Sequence, residues 1–114
     1  MTNAIIGIVA LFNAVCTVEG NRQGWHPDGV SYGPAGITQG CLDELRKEPR
    51  WKHNWTLADM DNPACALEVF TTYTAMICRR HKDEVTPRNR LHYWHPFDRD
   101  YAERVMNLAE GSGK

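Results

Sequence analysis

The chain has 114 residues, enough to bury one hydrophobic core and too few for a second, so any site must lie on a single domain. Its 13 Lys and Arg nearly balance 14 Asp and Glu, and neither sign forms a block, which argues against nucleic acid as the main partner. Hydrophobic residues at 42% and charged residues at 24% are those of a folded soluble domain and not of a disordered chain.

Residues 2–18 are apolar enough to resemble a secretory leader, but no Lys or Arg precedes the run and no small-x-small cleavage site follows it. With roughly 15 apolar-leaning residues the stretch also falls short of the about 20 that a membrane span needs. It reads as a core helix capped by Asn3, with Ile5, Ile8, Phe12, Val15 and Cys16 at helical spacing and Gly20 as its stop. No stable membrane insertion is expected. Without a signal peptide the location is left open, and phage-associated delivery or a place within a longer protein would suit such a chain.

Residues 21–36 are crowded with Gly, Pro, Asn and Asp and carry no period, which predicts a long loop with a short hairpin around Asp28-Gly29. A loop of that length points to function. A second helix is predicted from Thr38 to Lys47, followed by an irregular segment, residues 48–61, that contains Trp51 and Trp55. Asn62 and Pro63 then open a third helix, with Leu67, Phe70, Tyr73, Thr74 and Ile77 on one stripe and Arg79, Arg80, His81 and Lys82 at its C-terminal end. Thr86-Pro87 repeats the cap-plus-proline signal for a short helix to Tyr93. Asp98 opens the last helix, which runs through Ala109 and stops at Gly111. The expected fold is all-α, with five to six helices and a long active-site loop, in one domain over residues 1–110 with a frayed tail at 111–114.

Cys16, Cys41, Cys65 and Cys78 form no C-x-x-C pair, so a zinc knuckle or redox motif is not expected. Buried free thiols are the plain reading, with bridges between different elements as the alternative. Cys65 and Cys78, 13 residues apart on one predicted helix, lie about 19 Å from each other and cannot pair. His92-x-x-His95 has no carboxylate in register and is followed by Pro96, so neither a metal site nor a cofactor is predicted.

Among the carboxylates, Glu19 stands out. It follows Val15 by four residues and Phe12 by seven, which puts it on the apolar face of the first helix. Apolar surroundings disfavour a charged carboxyl, so such a group can keep a proton near neutral pH and act as a general acid. The competing reading is a helix-end Glu that swings out to water. Asp28 likewise reads either as a second acid near Glu19 or as the turn former of Pro-Asp-Gly.

Four motifs occur in order along the chain. They are Thr17-Val18-Glu19-Gly20-Asn21, the run from Asp28 to Thr38 that contains Tyr32-Gly33-Pro34-Ala35-Gly36-Ile37, Leu91-His92-Tyr93-Trp94-His95-Pro96, and Tyr101 four residues before Val105. Their order resembles the lytic transglycosylases and goose-type lysozymes. In that family a catalytic Glu ends a helix in apolar-x-E-S-G, a loop leads to G-P-L-Q-I-T or G-L-M-Q-I, and I-H-N-G-G-P precedes Y-x-x-x-V on the last helix. Here Gly36 replaces the usual Gln, with Gln39 nearby, Tyr93-Trp94-His95 replaces Asn-Gly-Gly, and Gly20 replaces the Ser.

The resemblance implies a peptidoglycan-cleaving glycosidase, acting as a monomer on glycan strands at the β-1,4 bond between N-acetylmuramic acid and N-acetylglucosamine. Glu19 would be the catalytic acid. Tyr101 would match the family tyrosine that faces it, and Tyr32, Gly33, Ile37, Gln39, Tyr93 and Trp94 would line the cleft, the aromatic rings stacking on sugar faces. Asp28 would serve as the second carboxylate if the enzyme hydrolyses, whereas a transglycosylase needs none because the substrate's acetamido group assists. The altered positions around Glu19 also fit an inactive relative that only binds glycan or a protein partner.

Overall fold

The computed structural model describes residues 6–111. Five α-helices surround one core and carry one small hairpin: α1 Ile8–Val18, β1 Ser31–Tyr32, β2 Ile37–Thr38, α2 Gln39–Arg46, α3 Pro63–Arg80, α4 Pro87–Trp94 and α5 Tyr101–Gly111, with a 3-10 turn at Leu57–Asp61. The fold is therefore mostly helical, with a two-stranded antiparallel sheet pairing Ser31 with Thr38 and Tyr32 with Ile37.

The helix starts follow from capping chemistry. Thr38 caps α2 through its side chain onto the Cys41 N–H, Asn62 caps α3 onto the Ala64 N–H ahead of Pro63, and Thr86 caps α4 onto the Asn89 N–H ahead of Pro87. The expected cap Asn3, with Ile5, lies outside the described residues; α1 itself begins after Gly7, which offers no side chain. The last helix starts at Tyr101 and not at Asp98, because the Asp98 carboxylate bonds the Asp100 N–H in a turn before the helix, and it continues through Gly111. Of the expected tail, residues 112–114 lie outside the described residues.

Asp28-Gly29 sits at the expected turn, closed by an antiparallel bridge between Trp25 and Tyr32 and by the His26 N–H donating to Ser31 O at 2.9 Å. Ser31–Tyr32 then pairs again, with Ile37–Thr38, across a second turn at residues 33–36. The segment expected to be irregular holds the 3-10 turn, built on a capping box in which Thr56 and Asp59 bond each other's backbone N–H.

The core gathers Leu11, Phe12 and Val15 of α1, Val69 and Phe70 of α3, Leu91 of α4, and Tyr101 and Val105 of α5. On α3 the buried side is centred on Ala66, Val69, Phe70 and Thr74, while Leu67, Tyr73 and Ile77 of the expected stripe are half-buried beside it. That helix packs against α1, α2 and α4, so its covered arc is wider than one stripe. All four cysteines are free, with Cys16, Cys41 and Cys78 buried. Among the described residues no helix is long and apolar enough to cross a membrane.

Candidate active site

Glu19 is the residue at which α1 ends. Its N–H still donates to Val15 O at 2.9 Å, while Gly20 and Asn21 turn the chain away through bonds back to Thr17 and Cys16. Its half-buried side chain therefore leaves the helix at a fixed point, on the same side as the buried Val15 and Cys16.

Two elements distant in sequence close on this carboxylate. From α5, the Tyr101 hydroxyl donates to Glu19 Oε2 at 3.1 Å. From the hairpin turn comes Gly36, at φ +69°, where a Cβ would stand 2.9 Å from Glu19 Oε1 and 3.3 Å from His26 Cε1. Only glycine tolerates both that backbone and that approach. The adjoining Gly33, at φ +77°, lies so close to the Met60 carbonyl that a Cβ would stand 2.4 Å from its oxygen, which anchors the turn on the 3-10 segment.

His26 was not singled out from the sequence, and it is the buried histidine of this region. Its Nε2 lies 2.7 Å from the Gly33 carbonyl, which can only accept, so Nε2 carries the hydrogen. The ring thus ties the strand entry to the turn that faces Glu19. A lone His in a Gly-rich loop gives no periodic signal.

Tyr101 is almost wholly buried, and its ring is fixed by a stacked His95, with centroids 4.5 Å apart, and by the Arg104 guanidinium 5.9 Å from its centroid. Burial and the neighbouring Glu19 charge hold its phenol well above the usual range, so it stays a hydrogen-bond donor. The same causes push the Cys16 thiol up to about 11. The carboxylate thus has one oxygen held by a phenol and the other against bare backbone.

The remaining expected residues divide. Asp28 is exposed, and its carboxylate accepts from the Val30 and Ser31 N–H groups at 2.9 Å each and from Ser31 Oγ at 2.7 Å. The Ser31 and Val30 amides hold it down to about 2. Among the described hydrogen bonds none joins Asp28 to Glu19. Tyr32 lies on the hairpin with Trp25 edge-on at 5.2 Å, and burial and Asp61 push its phenol up. Gln39 bonds Asp43 and, with the exposed Trp25 and Val30, borders an open hollow of about 370 Å3 on the hairpin.

Two expected sugar contacts are corrected. Ile37 is fully buried and Gly33 is closed off by Met60, so both build the turn and do not line a surface. Tyr93, half-buried, gives its hydroxyl to Asp83 and stacks on His81 at 4.6 Å, beside the connection between α3 and α4. Trp94 packs edge-on against Phe70 at 4.9 Å and Tyr73 at 6.0 Å, as a wall of the core. Among the described residues no cluster of His, Cys, Asp or Glu could hold a metal ion. No family model, curated protein or solved structure matches the chain.

Proposed function

We propose that the chain is a lysozyme-like glycosidase of the lytic transglycosylase type that cleaves the β-1,4 bond between N-acetylmuramic acid and N-acetylglucosamine in peptidoglycan. The observation that carries this reading is the hydrogen bond from Tyr101 to Glu19, because it joins the two residues whose motifs suggested an acid and a facing tyrosine. Glu19 protonates the leaving glycosidic oxygen and then, as a carboxylate, takes a proton back. The Tyr101 phenol orients the carboxylate and stays neutral throughout.

Asp28 spends its oxygens on its own turn. That favours a one-carboxylate mechanism, with the substrate's acetamido group assisting, over hydrolysis with two acids. Digestion of purified peptidoglycan followed by mass spectrometry tests this: anhydro ends support transglycosylation, and reducing ends support a lysozyme. Release by the wild type no greater than by Glu19→Gln overturns the enzyme reading. The second reading, a relative that binds glycan without cleaving it, draws on Gly36, which leaves bare backbone where the family's Gln side chain would stand beside the acid. Retention on insoluble peptidoglycan without product release would support it.

A further inference from the structure

A larger hollow, about 790 Å3, lies away from this site in the sense that none of Glu19, His26, Gly36 or Tyr101 borders it. One wall is a stripe of α3 with Glu68, Thr72, Met76 and Arg79 at helical spacing. The other is residues 48–53, the segment that leaves α2, where Trp51 contributes half-buried indole surface.

Charge in this groove has a positive excess. Four of its lining residues are Arg or Lys and two are Glu, in a chain whose formal net charge is -1. Arg80 is taken by Glu44 at 2.8 Å and lies 3.7 Å from Glu48, and Lys52 donates to the Pro49 carbonyl. Arg50 on one wall and Arg79 on the other, both exposed, have no ion pair among the described residues. Compensation of a helix end accounts for Arg79 at the close of α3 but not for Arg50 across the groove.

We propose that this groove binds a hydroxyl-rich polyanion, such as an acidic glycan segment. The guanidinium forks of Arg50 and Arg79 take singly charged oxyanions, and planar, donor-rich guanidinium matches carboxylate and phosphodiester alike. Trp51 covers an apolar sugar face. Glu48 and Glu68 border the same groove, Glu68 beside His53 Nε2 at 3.1 Å, and their remaining lone pairs accept sugar or glycerol hydroxyls, which the interior of a DNA strand does not offer. The site is independent of the proposed cleavage, so Glu19→Gln keeps it.

The test is titration of the full chain, observed through the indole N–H signal of Trp51 in NMR and assigned with Trp51→Phe. The probes are a hyaluronate oligosaccharide for carboxylate, a glycerol phosphate oligomer for phosphodiester, a neutral chito-oligosaccharide and oligo(dT). One or both acidic probes are expected to move the Trp51 signal, and the better one names the source of the oxyanion. Binding should weaken as salt rises from about 50 to about 200 mM, and by about tenfold or more in the Arg50→Ala/Arg79→Ala variant. The proposal fails if neither acidic probe moves Trp51, if the double variant binds as well as the wild type, or if the neutral probe or oligo(dT) binds there as tightly. Both arginines are exposed, so the variant keeps its fold, which circular dichroism checks.

Discussion

The phenol of Tyr101 and the carboxylate of Glu19 meet at 3.1 Å although 82 positions separate them in the chain. Replacing Tyr101 with Phe keeps nearly all of the buried ring and deletes only the donor. Folding stability is expected to fall by about 1 kcal/mol, the net value of one such bond. Peptidoglycan cleavage should fall by about tenfold or more, because Glu19 loses the group that aims it. Denaturant unfolding and product release measured on the same preparation separate the two effects.

Gly36→Ala and Gly24→Ala form a matched pair. Both glycines have nearly the same left-handed backbone, φ +69° and φ +68°, but a Cβ at Gly24 meets nothing within 4 Å while one at Gly36 meets Glu19 Oε1 at 2.9 Å. Each alanine should cost about 1–2 kcal/mol of stability from backbone strain. Only Gly36→Ala displaces the acid. Loss of cleavage by Gly36→Ala with activity kept by Gly24→Ala is the expected result, and equal activity in both would remove Gly36 from the site.

Asp28 offers a choice between two roles. Asn at this position keeps an oxygen for the Val30 and Ser31 amides but has no charge, so Asp28→Asn should retain most activity if the carboxylate serves the turn, and Asp28→Ala should retain less. A second catalytic carboxylate would be lost equally in both. The depressed pKa has a consequence of definite sign: the hairpin gains stability from Asp28 above the ordinary value of 3.8 and loses it as pH falls toward about 2. The amide shifts of Val30 and Ser31, followed from neutral to acid pH, should titrate with a midpoint near about 2.

Glu19→Gln preserves shape and removes the acid. Cleavage should drop by about a hundredfold or more, the usual contribution of a positioned proton donor. The Tyr101 hydroxyl can still donate to the amide oxygen, so unfolding should change little, and a large loss of stability would mean that the pair is chiefly structural.

Most of the helical frame was readable because its starts are local chemistry. Asn62-Pro63 and Thr86-Pro87 each satisfy free N–H groups within three residues, and Gly20 closes α1 where expected. Thr56 and Asp59 carried the same kind of signal for the 3-10 turn, hidden between two tryptophans and a proline-capped helix. The half-buried placement of Glu19 was also legible, since helical spacing alone puts it beside Val15. What spacing could not supply was which distant side chains arrive there. His26 reaches the turn through one bond to a carbonyl, and Tyr93 gives its hydroxyl to Asp83, both choices fixed by tertiary packing and by no repeat in the chain. Ile37 shows the opposite case: it stands in a loop-like string but points into the core.

The span between Glu19 and Tyr101 also bears on how the protein comes into being. A ribosome delivers residue 19 long before residue 101, and a contact of such sequence separation forms only after a large closure entropy has been overcome. Until α5 docks, Glu19 lacks the phenol that holds it. Nascent chains and partly unfolded forms with α5 undocked therefore carry the acid without its aim, and an activity that depends on this pair is confined to the completed fold.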